Sequence, residues 1–227
     1  LRLSGSLKVR CGRSGHCIGS LWFEADIDDS TLLFSGDYTE DTLLYAVDKL
    51  RGHTADVAFL DSSRDSQLGS AEVLMARIRK LVSDTVNAGR AVVLPVPRHG
   101  RGLELMQLLR GLGHIRPDDT VMAERDSMVH HPEWFKAPLQ DSAALGGSIY
   151  LVADTQLKRP QNRARTDRLV NEGAQVLFTG HVEDGSFAMR LMKMGQATQI
   201  PFPTHPSARL VDLLSGVNSF ERVIRTH

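Results

Sequence analysis

Residues 14–41 read SGHCIGSLWFEADIDDSTLLFSGDYTED. His16 stands in a glycine-flanked turn, GHCIGS, and the apolar run of TLLFSGD stops at Asp37. The same pattern recurs outward from this stretch, where ADVAFLD stops at Asp61 and ERVIRTH at His227. Buried strands of a parallel or mixed sheet read as short runs of Val, Leu, Ile and Phe, and residues just past their carboxyl ends converge along one edge of the sheet. His205 joins them from FPTHPS, held between two prolines. Aspartate and histidine together are the ligand alphabet of zinc and manganese chemistry.

Polar residues also follow strands simply to begin a loop or cap a helix. Asp37 competes with Thr39 as N-cap of a short helix expected near 40–51. His205 reads either as a rigid-turn histidine or as a held general acid.

The remainder alternates. Residues 1–65 read as strands and turns, and an amphipathic helix follows over roughly 70–88, with Val73, Leu74, Ile78, Leu81 and Val82 on one face and Gly89 as its stop. Strand AVVLPV, helix GLELMQLLRGLG, strand TVMAE, strand SIYLVAD, helix RTDRLVNEG and strand QVLFTG then describe an α/β region. Residues 125–147, with Pro132, Pro138 and Gly146-Gly147, read as a long connection in which Trp134 and Phe135 anchor the loop.

The chain has 227 residues, is 41% hydrophobic and 24% charged, and contains no apolar run of membrane-spanning length, so a globular chain with no membrane partner is expected. Cys11 and Cys17 fit neither a zinc ribbon nor a disulfide framework, and reduced thiols in the cytoplasm are the expected state. With 27 basic and 27 acidic residues, overall charge gives no argument for nucleic acid. Local charge does: PRHGR carries Arg98 and Arg101, and KRPQNRARTDR carries Lys158 and Arg163, four candidates for phosphate contacts. Arg101 follows a strand and Gly100 at a helix start, where backbone donors also favour an anion. RIRK, over Arg77 to Lys80, reads first as a solvated helix face.

Three stretches carry a resemblance. SGHCIGSLWFEADIDDSTLLFSGDYTED, VLPVPRHGRGLELMQLL and VLFTGHVEDGSFAMRLMKMG resemble, in order, segments of the metallo-β-lactamase-fold nucleases of the β-CASP group, the group of RNase J and the mRNA 3′-end cleavage endonuclease. The resemblance implies an α/β fold: part of a metallo-β-lactamase αββα sandwich over 1–65 and 195–227, with a β-CASP-like cap domain inserted over 66–194. It implies metal ligation by His16, Asp37 and His227, with Asp37 bridging two Zn2+ ions and Mn2+ as the alternative metal. It also implies an acid/base pair, Asp61 orienting His205. A carboxylate accepting from one ring nitrogen fixes the tautomer, so that the other nitrogen can donate to a leaving oxygen.

The group's His-x-His-x-Asp-His motif is absent. His130 and His131, in MVHHPEWF, have the wrong spacing. The chain is therefore expected to be part of a longer protein, beginning and ending inside the metallo-β-lactamase domain. Single-stranded RNA is the expected partner, since histidine at the last motif marks RNA-processing members of the group, and a homo-oligomer is allowed. The function implied is a two-metal phosphodiester hydrolase acting on RNA. The alternatives are a metallo-hydrolase of a smaller substrate and a non-catalytic RNA-binding or scaffold subunit.

Overall fold

A computed structural model describes residues 7–62, 69–136, 139 and 147–226. The chain divides into two compact units, Leu1–Ser70 with Pro203–His227 (unit 1) and Ala71–Phe202 (unit 2). Both are mixed α/β, as the sequence implies.

Unit 1 is a sheet ordered β1-β2-β3-β4-β10, built from β1 (Leu7–Arg13), β2 (Leu21–Ile27), β3 (Ser30–Phe34), β4 (Thr54–Asp61) and β10 (Ser219–Thr226). β1, β2 and β3 pair antiparallel, whereas β4 lies parallel to both β3 and β10. The β2–β3 turn places Asp28 at φ 52°, a left-handed conformation that aspartate tolerates better than most residues. Alternation divides the sheet into two faces. Trp22, Leu33, Ala58 and Leu60 pack with Tyr38, Leu50 and with Val211 and Leu214 of α6 (Ala208–Val217). The opposite face is a register of Cys11, Phe23, Phe34 and Phe59, with Phe34 stacked on Phe59 at 4.6 Å.

Unit 2 is a parallel sheet ordered β6-β7-β5-β8-β9, from β5 (Val92–Pro95), β6 (His114–Pro117), β7 (Ser148–Val152), β8 (Gln175–Phe178) and β9 (Ala197–Gln199). Between the strands run α2 (Arg101–Leu109), α3 (Asp119–Ser127), α4 (Pro160–Asn171) and α5 (Phe187–Lys193), and α1 (Ala71–Asn87) precedes them. Its core joins Val93, Val176 and Phe178 of the sheet to Leu169 of α4 and Phe187 and Leu191 of α5. Among the described residues no helix is long and apolar enough to cross a membrane.

Several local expectations are corrected. Residues 40–51 form no helix. The Thr42 hydroxyl accepts from the Tyr45 amide at 2.8 Å and the Thr39 hydroxyl from the Asp41 amide at 3.1 Å, side-chain bonds that hold the backbone in turns and compete with a helical ladder. Asp37 therefore caps nothing. TVMAE is part of helix α3 and not a strand, because Asp118 caps it by accepting from the Thr120 and Val121 amides, each at 3.1 Å. That cap overrides the β-branched preference of Thr120 and Val121. The connection expected from 125 begins inside α3 and continues as short 3-10 turns at Met128–His130 and Pro132–Trp134; Pro138 and Gly146 lie outside the described residues. On α1 Val73 is exposed, and the buried stripe is Leu74, Ile78, Val82 and Val86.

Candidate metal and acid/base site

The carboxyl ends of β3 and β4 lie side by side, and both site aspartates emerge there. After β3 the chain turns through Ser35 and Gly36 to Asp37, which is exposed. Gly36 has φ 54°, and a Cβ there would lie 2.9 Å from the Leu21 carbonyl oxygen, so the turn that delivers Asp37 favours glycine. The Ser35 hydroxyl accepts from the Asp61 amide at 2.8 Å, locking the two strand ends together.

Asp61, at the end of β4, is 4% exposed. Its Oδ2 accepts from the Tyr38 amide at 3.2 Å and lies 2.7 Å from His205 Nδ1. One buried carboxylate thus fixes both the backbone following Asp37 and the ring of His205. His205 arrives on the loop before α6, whose first turn is capped by the Ser207 hydroxyl accepting from the Leu210 amide. With Nδ1 donating to Asp61, Nε2 is the ring atom that can bind a metal or carry a proton.

His16 is set by a second backbone constraint. Gly15 has φ 80°, and a Cβ there would fall 2.3 Å from the Thr39 carbonyl oxygen, so only glycine lets the two segments meet. His16 Nδ1 lies 3.0 Å from the Thr204 carbonyl oxygen and donates to it, and Nε2 lies 3.7 Å from Asp37 Oδ2. The His16 and His205 rings are 5.2 Å apart between centroids. One ligand atom from each of His16, Asp37 and His205 lies within 4.8 Å of the others. Hydrogen bonds from the remote ring nitrogens to Thr204 and Asp61 are the usual way a protein orients metal-ligating histidines.

The structure therefore brings together His16, Asp37, Asp61 and His205. His227 lies outside the described residues; its neighbour Thr226, at the end of β10, is in register with Asp61. Sequence reasoning missed the Thr204 carbonyl and the Tyr38 amide, because backbone groups leave no trace in residue type. The four basic candidates are all in unit 2, each in a different setting. Arg98 is exposed beyond β5. Arg101 opens α2 and borders a cavity of about 260 Å³ with Pro95, Pro97, Gln156 and His181, and burial pushes its guanidinium down to about 10, still cationic at neutral pH. Lys158 is ion-paired with Glu183 at 2.7 Å. Arg163 lies over the Phe187 ring, 5.0 Å from its centroid.

No protein-family profile matches the chain. Among characterised proteins it is 28% identical over 150 residues to the cleavage and polyadenylation specificity factor subunit 3-I of Arabidopsis thaliana, a stretch that is 65% of this chain and 20% of the relative. It is 24% identical over 157 residues to the Integrator complex subunit 11 homolog of Dictyostelium discoideum, covering 66% of this chain and 19% of that protein. The match spans about a fifth of the length of these relatives. On these matches and on its α/β architecture, the chain is a distant homologue of the β-CASP metallo-β-lactamase nucleases.

Proposed function

We propose that this chain carries part of the catalytic centre of a metal-dependent phosphodiester hydrolase acting on single-stranded RNA. The observation that carries the reading is the Asp61–His205 pair, 2.7 Å apart, set beside His16 and Asp37. A relative named for cleavage and polyadenylation supports RNA as the substrate. The donor pair fits a divalent cation: the His16 Nε2 nitrogen and the Asp37 carboxylate, 3.7 Å apart, suit zinc, with manganese as the alternative. In the complete site His16, Asp37 and His227 would hold two such cations. When bound, such ions supply Lewis acidity, offset charge on the phosphate and acidify water.

The chain's own residues do the rest. His16 and Asp37 would hold the ions in place. Asp61 accepts from Nδ1 of His205 and stabilises the imidazolium, so Nε2 presents a proton to the departing oxygen. Burial of Asp61 keeps this carboxylate fixed in orientation.

The test uses a full-length, metal-loaded protein containing this chain. His205→Ala lowers turnover on a labelled single-stranded RNA by roughly two to four orders of magnitude, the usual worth of general acid/base catalysis, with metal content unchanged. Loss of metal in that variant makes His205 a ligand and ends its assignment as the acid. An unmutated protein that retains metal but leaves RNA intact ends the ribonuclease reading.

A further inference from the structure

Unit 2 presents a set of cations that catalysis in unit 1 does not use. Helix α4 opens with Arg159 at its N-cap and Arg163 one turn later, with no acidic residue in its first turn. The Asp154 carboxylate supplies the negative charge that the positive end of the helix dipole favours, accepting from the Lys158 and Arg159 amides at 2.9 and 2.8 Å, and the Arg159 and Arg163 side chains add cations around it. Helix α5 begins at Phe187, which is 6% exposed, and carries Arg190 and Lys193 in its last turn. The two helices meet at the Phe187 ring: the Arg163 guanidinium carbon lies 5.0 Å from its centroid and that of Arg190 lies 4.8 Å from it. Both arginines are exposed, and among the described residues neither forms an ion pair; Asp167, one turn beyond Arg163, does not reach it. Lys158 has already taken up Glu183.

Two like charges held beside one ring repel each other, and that cost is offset when an anion bridges them. We propose that Arg163, Phe187 and Arg190 form a clamp for the phosphodiester backbone of a single-stranded nucleic acid, with Arg159 and Lys193 extending it at helical spacing on either side. Guanidinium forks match phosphate oxygens in pairs of hydrogen bonds, and the ring restricts both side chains, which lowers the entropy lost on binding. Such contacts position a strand and carry no base identity. The clamp takes the substrate class of the proposed hydrolase and in that respect rests on that reading, but it lies wholly within unit 2 and is measurable without catalysis.

The experiment is fluorescence anisotropy of this chain with labelled single-stranded RNAs of uniform and mixed sequence, in EDTA, over a salt series. Arg163→Gln/Arg190→Gln weakens binding about tenfold for both RNAs and flattens the slope of log affinity against log salt by about 0.7 per charge removed. A control with the same loss of charge on other exposed positions, Arg77→Gln/Arg90→Gln, leaves affinity and slope unchanged. Phe187→Leu keeps both charges but frees them, so affinity falls while the slope holds; melting curves establish that each variant is folded, and the exposed arginine pair decides the matter if the Leu variant is not. The clamp is overturned if the chain does not bind RNA, if the arginine variant binds like the unmutated chain, or if the control weakens binding equally. Clamp-dependent binding by a metal-loaded full-length protein that cleaves nothing would overturn the hydrolase and leave the clamp standing.

Discussion

The two sheets bury their strands in opposite ways. In unit 2 the central strand is enclosed on both sides, and Val92, Val93 and Leu94 are all fully buried, as a parallel strand between helical layers must be. In unit 1 one face is closed by α6, Tyr38 and Leu50, while the other keeps Val9 at 55%, Phe23 at 41% and Phe34 at 39% exposure among the described residues. Uniformly apolar strands mark a layer whose cover lies nearby in its own sequence. Strands that are apolar on both faces but wet on one mark a layer with a surface available for another apolar layer, and patches of this kind rarely remain bare.

That contrast breaks most directly on core truncations. Leu94→Ala in unit 2 is expected to cost about 2–5 kcal/mol, the range for a fully buried leucine that leaves a cavity, whereas Phe34→Ala in unit 1 should cost well under half as much despite its stacking on Phe59. Urea unfolding of the isolated chain measures both; equal costs would show that the Phe34 face is covered in solution.

A second measurement sharpens the comparison at the surface. Phe23→Lys/Phe34→Lys should reduce fluorescence of a hydrophobic dye and self-association in sedimentation, with the far-UV spectrum unchanged. Both positions are exposed, so the cost is limited to the Phe34–Phe59 stack and to repulsion between two lysines facing each other across β2 and β3. Unaltered dye binding would move the apolar surface elsewhere.

The smallest effect concerns pH and belongs to unit 1 alone. Arg13 donates to the Asp48 carboxylate through its side chain, from Nε at 2.9 Å and Nη2 at 2.7 Å, and through its backbone amide at 2.9 Å. These bonds, the side-chain ones foremost, hold the Asp48 carboxyl below its usual range against the opposing effect of burial. A depressed carboxyl contributes stability above its unfolded-state pKa of about 3.9 and loses it as pH falls through the lower folded value. Asp48→Asn should therefore lower the melting temperature slightly at pH 7 and remove part of the decline below about pH 4, a modest effect because the pair is partly open to solvent. An acid limb identical to that of the unmutated chain would contradict it.

The convergence of the candidate site residues was legible in sequence because strand grammar makes it so. Asp37 and Asp61 end apolar runs, and parallel pairing of β3 with β4 puts those ends together. His16 and His205 were marked by the glycines and prolines that restrict their turns. Their partners were not visible, since Thr204 and Tyr38 act through backbone atoms. Elsewhere local side-chain chemistry defeated periodicity: Thr39 and Thr42 hold turns where a helix was expected, and Asp118 starts a helix through a β-branched stretch. Strands β6 (HIRP) and β9 (ATQ) lack the apolar run that marks the similarly short β5 and β8, and are too short to leave a period instead.

Asp61 and His205 are separated by 144 positions of sequence, and all of unit 2 is threaded between them. For an unstructured chain the logarithmic part of that closure costs roughly 4 kcal/mol in entropy, to be met before one hydrogen bond is gained. Contacts of such long range form late, after local strand and helix pairs have shortened the effective loop. The Asp61–His205 contact is consequently expected among the last to form as the protein folds.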